Sequence, residues 1–280
     1  MIEIKNITKV YGKKKNTFTA LKDVSLAIEE GSSVAVLGKS GSGKSTLMHA
    51  ISGLDKPQQG EVIINGEDIL RLKRKATDRF RARTMGFIFQ SFFVEGGESC
   101  YDNVSLLLET AGVPRSQRRR RIVAALEAVG LEDKIKARAK DLSGGQKQRL
   151  AIARAIAAEP QILFADEPTG NLDSATSAVV EDLLFNYAKE HGATLIIVTH
   201  DEDLAQRCQR IIRIKDGAID HDSAMDDKAT ASPKAKKAPT RRSAKATAPA
   251  TQPKKTAKKA TSTTAKAKST TTKPTPRRAD

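Results

Sequence analysis

Apolar positions near the start of the chain fall at Ile2, Ile4 and Ile7 and again at Leu21, Val24, Leu26 and Ile28, ahead of Glu30-Gly31. The partly alternating pattern predicts strands, and the Glu-Gly pair a turn. Ser33-Val34-Ala35-Val36-Leu37 reads as a short buried strand, and Lys44 to Ser52 suits a helix ended by Gly53. Between Pro114 and Lys140 the period becomes helical, with Ile122, Leu126 and Val129 on one face and Arg118 to Arg121 near the start, which predicts a helical insertion. Leu150, Ile152, Ala153 and Ile156 mark a further helix. Gln161 to Ala165 and Thr194 to Val198 are short apolar runs, each after a helical stretch, as βαβ crossovers in a mainly parallel sheet produce. Both end on polar residues, where ligands of such sheets bind.

The strand at Ser33 to Leu37 runs directly into Gly38-Lys39-Ser40-Gly41-Ser42-Gly43-Lys44-Ser45, a full match to G-x-x-x-x-G-K-[ST]. Glycines let successive N–H groups converge on phosphate oxygens, and the following helix adds its positive end. Lys44 suits the outer phosphates and the Ser45 hydroxyl suits Mg²⁺. The run Ile162 to Glu167 delivers two carboxylates to a strand end. Alone, such a pair also suits a helix cap. Downstream of a complete phosphate loop it suits phosphoryl transfer, with Asp166 on the metal shell and Glu167 polarising a water. Ser143 is placed as an N-cap before Gly144-Gly145-Gln146, so a second helix end is expected to bind an anion.

Charge changes the picture at one end only. Residues 222–280 contain no Val, Ile, Leu, Phe, Tyr or Trp, and a disordered tail is expected there. Residues 228–280 hold 16 of the chain's 49 Lys and Arg but one of its 33 acidic residues, so the remainder lies within one charge of neutral. The net basicity therefore says little about the surface of the folded part. The tail suits the phosphates of nucleic acid or anionic lipid headgroups, and without aromatics its binding would be sequence-independent. Cys100 and Cys208 match no metal spacing and no disulfide framework, which points to a reducing interior. No signal peptide is recognisable, and no apolar run approaches the ~20 residues of a membrane helix, so work at a membrane would need another anchor.

With these motifs in place, the sequence resembles the ABC ATPase family from about Met1 to Ile219. Walker A is Gly38 to Ser45, the Q-loop glutamine is Gln90 in Phe89-Gln90-Ser91-Phe92, and the signature is Leu142 to Gln146. Walker B is Ile162 to Glu167, the D-loop Thr169 to Asp173 and the switch histidine His200, while Tyr11 stands at the adenine-stacking position. The resemblance implies an α/β P-loop NTPase cassette over residues 1–221, with a mixed sheet core, an antiparallel β subdomain and a helical subdomain at about 91–158. It implies ATP and Mg²⁺ as ligands. Tyr11, residues Gly38 to Ser45 with Thr46, Ser143 to Gln146 and Asp173 would contact nucleotide; Ser45, Gln90 and Asp166 would hold the metal; and Glu167, His200, Lys44 and Gln90 would serve hydrolysis. It also implies that two copies pair head to tail on ATP, each nucleotide lying between the Walker A of one and the signature of the other, with Asp173 spanning the interface.

The stretch Asp166 to Asp173 and the surroundings of Gln90 look like the branch of macrolide and antimicrobial-peptide exporters, lipoprotein-release ATPases and the cell-division cassette. There the partner is a separate membrane subunit, and the cassette lies peripherally on the inner face of the cell membrane. A cassette regulating envelope remodelling is one alternative, and a soluble ATPase gripping nucleic acid through the basic tail is another. One departure concerns Phe93-Val94-Glu95-Gly96-Gly97-Glu98-Ser99-Cys100-Tyr101, where the branch carries an apolar stretch with Leu-Leu-Pro. That region faces the membrane subunit in the family, so a more polar partner helix is expected.

Overall fold

The computed structural model describes residues 1–13 and 16–224. Two sheets organise it. The first is antiparallel, in the order β2-β1-β4-β5, and is built from β1 (Ile2–Lys13), β2 (Asn16–Ile28), β4 (Gln59–Ile64) and β5 (Glu67–Asp68). The second has six strands in the order β10-β9-β3-β8-β7-β6. Its members are β3 (Ser33–Leu37), β6 (Met85–Phe89), β7 (Ile162–Asp166), β8 (Thr194–Thr199), β9 (Arg210–Lys215) and β10 (Ala218–Asp222). All neighbours in it are parallel except β10, which runs against β9, so the sheet is mixed as expected.

Strand periodicity explains why the central runs are apolar throughout. Successive side chains point to opposite faces, and both faces of this sheet are covered. Val34, Val36, Phe164, Ile196 and Val198 enter one core with Ile2, Ile4, Val62 and Ile64 of the antiparallel sheet and Leu47 and Met48 of α1 (Lys44–Ile51). Ala35, Leu37, Leu163, Ala165, Leu195 and Ile197 enter the other. That second core is closed by α3 (Cys100–Thr110), α4 (Arg115–Ala128), α5 (Gly144–Ile156), α6 (Ser174–His191) and the short α7 (Glu202–Gln206). A fully buried side chain such as Phe164 contributes roughly 1.5–3 kcal/mol, so one polar substitution here would be costly.

Local caps set the helix starts. Ser99 accepts the Asp102 N–H at 3.1 Å to begin α3, and Gly192 ends α6 in the left-handed region at φ 63°. The helix α2 (Arg74–Thr84) buries Ala82 alone and leans on β6. The expected helical stretch from Pro114 to Lys140 is a single α-helix only as far as Ala128, followed by two short 3-10 turns at Glu132–Lys134 and Ala139–Asp141.

One boundary is corrected. A tail beginning at Asp222 was expected, because the residue is polar and no large apolar side chain follows it. Instead Asp222 closes β10, and its carboxylate, 2% exposed, takes two bonds from Arg210, Nε at 2.8 Å and Nη2 at 2.6 Å. The Ser223 hydroxyl accepts from the Ile211 N–H at 3.0 Å, and the Ala224 N–H donates to Asp222 at 3.1 Å. The rest of the expected tail, with its proposed lipid or nucleic-acid contacts, lies outside the described residues.

Candidate functional site

Register places the site. In the parallel sheet Leu37 pairs with Thr199, Val198 with Asp166, and Asp166 with Phe89. The carboxyl ends of β3, β8, β7 and β6 are therefore level, and the next residues, Gly38, His200, Glu167 and Gln90, share one edge. All four line an open cleft of about 900 Å³. Lys39, Ser40, Gly41, Gly43, Lys44, Ser45, Thr46, Asp166 and Tyr11 line it too, so most of the expected site residues meet in one place. Ser42 is buried beside them, and its hydroxyl has no partner among the described residues.

Gly43 is the N-cap of α1 at φ 108°, where a Cβ would meet the Ala20 carbonyl at 2.7 Å; only glycine suits this turn. No side chain caps α1 and no acidic residue stands in its first turn, so its leading N–H groups remain open to an anion. The Lys44 ammonium, 7% exposed as a residue, donates to the Gly38 and Lys39 carbonyls at 2.8 and 3.1 Å, which holds it over the loop. At the other side Ser45 Oγ donates to Asp166 Oδ1 at 3.2 Å. Burial raises the Asp166 carboxyl above its ordinary value, opposed by that bond.

The Ser45 and Asp166 oxygens are the hard donors Mg²⁺ takes when phosphate and water complete its shell. Among the described residues there is no cluster of three His, Cys, Asp or Glu that would hold a metal by itself, so the fit is to a nucleotide-bound ion.

Glu167 sits in a strained conformation for its type, φ 47°, with its N–H held by the Val198 carbonyl at 2.8 Å. Its Oε1 lies 2.9 Å from His200 Nδ1, and the Thr199 hydroxyl donates to Oε2 at 3.4 Å. The switch histidine thus touches the candidate base directly. Gln90 packs against Gly170, whose added Cβ would stand 3.0 Å from Gln90 Nε2, and the Asn171 amide donates to the Gln90 carbonyl at 2.9 Å.

Tyr11 is anchored. Its hydroxyl donates to Asp55 at 2.7 Å, and the Lys9 ammonium, itself bound to Asp55, lies 4.9 Å from the ring centre. Burial, then Asp55, raises the Tyr11 hydroxyl above its ordinary value. Burial also pushes the Asp55 carboxyl up, but hydrogen bonds from Lys9 and Tyr11 outweigh it and hold Asp55 low.

Ser143, Gly144, Gly145 and Gln146 do not line this cleft. They open α5 with a reciprocal capping box, the Ser143 hydroxyl accepting the Gln146 N–H at 3.3 Å and Gln146 Oε1 accepting the Ser143 N–H at 3.0 Å. The N–H groups of Gly144 and Gly145 remain for an anion. Asp173 is close by: it caps α6 through Thr176, N–H at 3.0 Å and hydroxyl at 2.8 Å, and these bonds lower its carboxyl's pKa. A Cβ on Gly145 would meet Thr176 Cγ2 at 2.4 Å, so glycine permits the close approach of α5 to α6. One chain therefore carries the phosphate-loop cleft and, away from its lining, a second helix end whose leading N–H groups are open.

No local pattern marks Phe18, which pairs across the hairpin with Tyr11 and lines the cleft, 61% exposed. Nor does one mark Arg213, on the cleft rim, bound to both carboxylate oxygens of Glu202 at 2.9 and 3.0 Å. Both depend on strand register, which no local pattern encodes.

A phosphate loop opening an uncapped helix, facing a metal-suited carboxylate and a strained glutamate on one sheet edge, defines a P-loop nucleoside triphosphatase. Residues 21–170 match the family described as ABC transporter. LolD, the lipoprotein-releasing system ATP-binding protein of Syntrophus aciditrophicus, is 42% identical over 219 residues, 78% of this chain and 98% of LolD. YknY of Bacillus subtilis, described as an ABC transporter ATP-binding protein, is 42% identical over 219 residues, 78% of this chain and 95% of YknY. The dimeric structure of MJ0796, a bacterial ABC transporter cassette, superposes with a TM-score of 0.74 at 40% identity, covering 79% of this chain and 97% of MJ0796. A post-hydrolysis dimer of MJ0796 bound to ADP and Pi matches with the same TM-score at 39% identity over 79% of this chain and 97% of that one. The chain belongs to the ABC transporter ATP-binding proteins, in the branch that includes LolD, and it is an ATPase.

Proposed function

We propose that this chain is the ATP-hydrolysing subunit of a transporter that works on molecules taken from the membrane or exported beyond it, with lipoproteins the class that LolD suggests and peptides or drug-like molecules the classes that the branch resemblance adds. It pairs with a second copy on ATP and drives a separate membrane subunit from the inner face of the membrane. Among the described residues no helix is long and apolar enough to cross a membrane, which fits a subunit anchored by its partner.

The observation that carries this reading is the separation of the cleft from the Ser143 helix end. A nucleotide held by Lys44 on one copy then gains its second set of N–H donors from Gly144 and Gly145 of another, a pairing for which the dimeric state of the MJ0796 cassette is the support. Lys44 and the α1 N-terminus bind and orient the phosphates. Tyr11 and Phe18 receive the base. Glu167 takes the proton of the attacking water, its carboxylate aimed by His200 and Thr199. Ser45, Asp166 and Gln90 would hold Mg²⁺, which when bound neutralises charge on the phosphate oxygens.

Glu167→Gln tests the assignment: the variant should retain ATP, accumulate as a dimer in size-exclusion chromatography with MgATP, and turn over at least ~100-fold more slowly, the scale of losing a general base. Wild-type turnover, or a monomer at saturating ATP, would refute it.

A further inference from the structure

Gln148 has no role in the motifs described above, yet it is a fully buried polar side chain at 0% exposure on α5, just past the Ser143 cap. Its amide nitrogen donates to the Pro168 carbonyl at 2.6 Å and lies 3.5 Å from the Phe89 carbonyl. Two carbonyl neighbours fix the orientation of the amide, since only the NH₂ end can donate to them. Pro168 directly follows Glu167, and Phe89 directly precedes Gln90. One side chain of the signature helix therefore reaches the backbone beside both residues that flank the reacting phosphate.

Its Oε1, also buried, has no partner among the described residues. A methionine or leucine would fill the same space without stranding an acceptor, so packing alone does not account for an amide here; donation to the two loops does. Six residues further along α5, the Arg154 guanidinium donates to the carbonyls of Phe92, at 3.3 Å, and Phe93. The Gln90 segment is thus fastened to α5 on both sides, and Phe93 is held there in the left-handed region at φ 46°. A shift of the Ser143 end of α5 would pull on the bonds that hold the backbone beside Gln90 and Glu167.

We propose that Gln148 is a positioning residue that ties the Ser143 helix end to Glu167 and Gln90 of the same chain, so that the two ATP sites of a dimer sense one another. The inference rests on the proposed pairing of two copies: the Ser143 end serves the partner's nucleotide, while Glu167 and Gln90 serve the chain's own. Engagement of the first then sets the geometry of the second.

The test is steady-state ATP hydrolysis by the full chain carrying Gln148→Met, which keeps length and apolar packing and removes the donor, with Gln148→Asn as a variant that keeps the amide but shortens its reach. The wild type should show a Hill coefficient above one. In both variants it should fall toward one and kcat should drop, by about tenfold in Gln148→Met and less in Gln148→Asn, while Kd for a non-hydrolysable ATP analogue stays within about twofold. Hill coefficient and kcat at wild-type values overturn the proposal. So does a Kd that rises in step with the loss of kcat, and so does failure of both variants to fold, which would make Gln148 a strut of the fold alone. The Glu167→Gln dimer, formed with Gln148 intact, separates the two readings. Without that dimer the pairing itself fails; with it, unchanged cooperativity in Gln148→Met defeats this inference only.

Discussion

Tyr11→Ala separates recognition of the base from recognition of the phosphates. Tyr11 is 38% exposed, its hydroxyl tied to Asp55 at 2.7 Å, and Phe18 stands opposite it on the neighbouring strand. Stacking of a base on an aromatic ring is worth roughly 1–3 kcal/mol. Phe18 remains in the variant, so the loss should lie at the low end, about 1–1.5 kcal/mol, which weakens ATP binding roughly 5- to 12-fold. Tyr11→Phe keeps the ring and forfeits one hydrogen bond of about 1 kcal/mol that only orients it, so its effect should be smaller. Calorimetric titration in the Glu167→Gln background, where hydrolysis does not interfere, should be run with MgATP and with magnesium triphosphate. Triphosphate lacks the base, so its affinity should be the same with and without Tyr11. If triphosphate binding falls as far as ATP binding, or if ATP binding is unaffected, Tyr11 does not receive the base and the reading of the cleft's outer end is wrong.

Two other predictions concern features met only in three dimensions. Gly145→Ala should leave ATP binding intact but lower turnover at least tenfold, because the added methyl meets Thr176 Cγ2, and Thr176 is held by its bond to Asp173; adding Thr176→Ser, which removes that methyl, should restore activity, and a double variant no better than the single one would count against the mechanism. Asp222→Ala should cost about 3 kcal/mol in denaturant unfolding, the lower end for a buried ion pair because Arg210 is 18% exposed, and should lower Tm by roughly 6–12 °C. For Asp222, burial raises the carboxyl, but the Arg210 bonds outweigh it and hold the folded pKa below its ordinary value of about 4. Its stabilisation is therefore complete above that pH and lost as pH falls through the folded value, so wild type and variant should converge in stability in acid. A gap that persists unchanged to low pH would show that the pair is not what holds β10.

The parts of the site that sequence reading found are those where chemistry is carried by adjacent residues. The phosphate loop, the Ile162 to Glu167 strand end and the Ser143 cap each need a local run, and each local run was visible. The runs Ser33 to Leu37 and Thr194 to Val198 stand out because burial on both faces keeps their interiors apolar. The helix α2 does not, since it buries Ala82 alone and leaves no apolar stripe. Asp222 is not legible as structured because its partner, Arg210, lies on the neighbouring strand, and a carboxylate that is buried by pairing looks in sequence like any solvated one. Gln148 was missed for the same reason: its partners at Phe89 and Pro168 are far along the chain, and they are backbone carbonyls, which have no sequence identity.

On the proposed pairing each nucleotide site is divided between two copies, and that has a genetic consequence. A chain crippled in its cleft, such as Lys44→Ala, and a chain crippled at its helix end, such as Ser143→Arg, should each be inactive alone. Expressed together they form mixed pairs in which both lesions fall on one site and the other site inherits neither. Two dead alleles should then complement in part, at the reduced turnover of a site whose partner site is not engaged, whereas two different lesions in the same half never should. Allelic pairs would sort the residues of this chain into cleft and helix-end groups without any structure in hand.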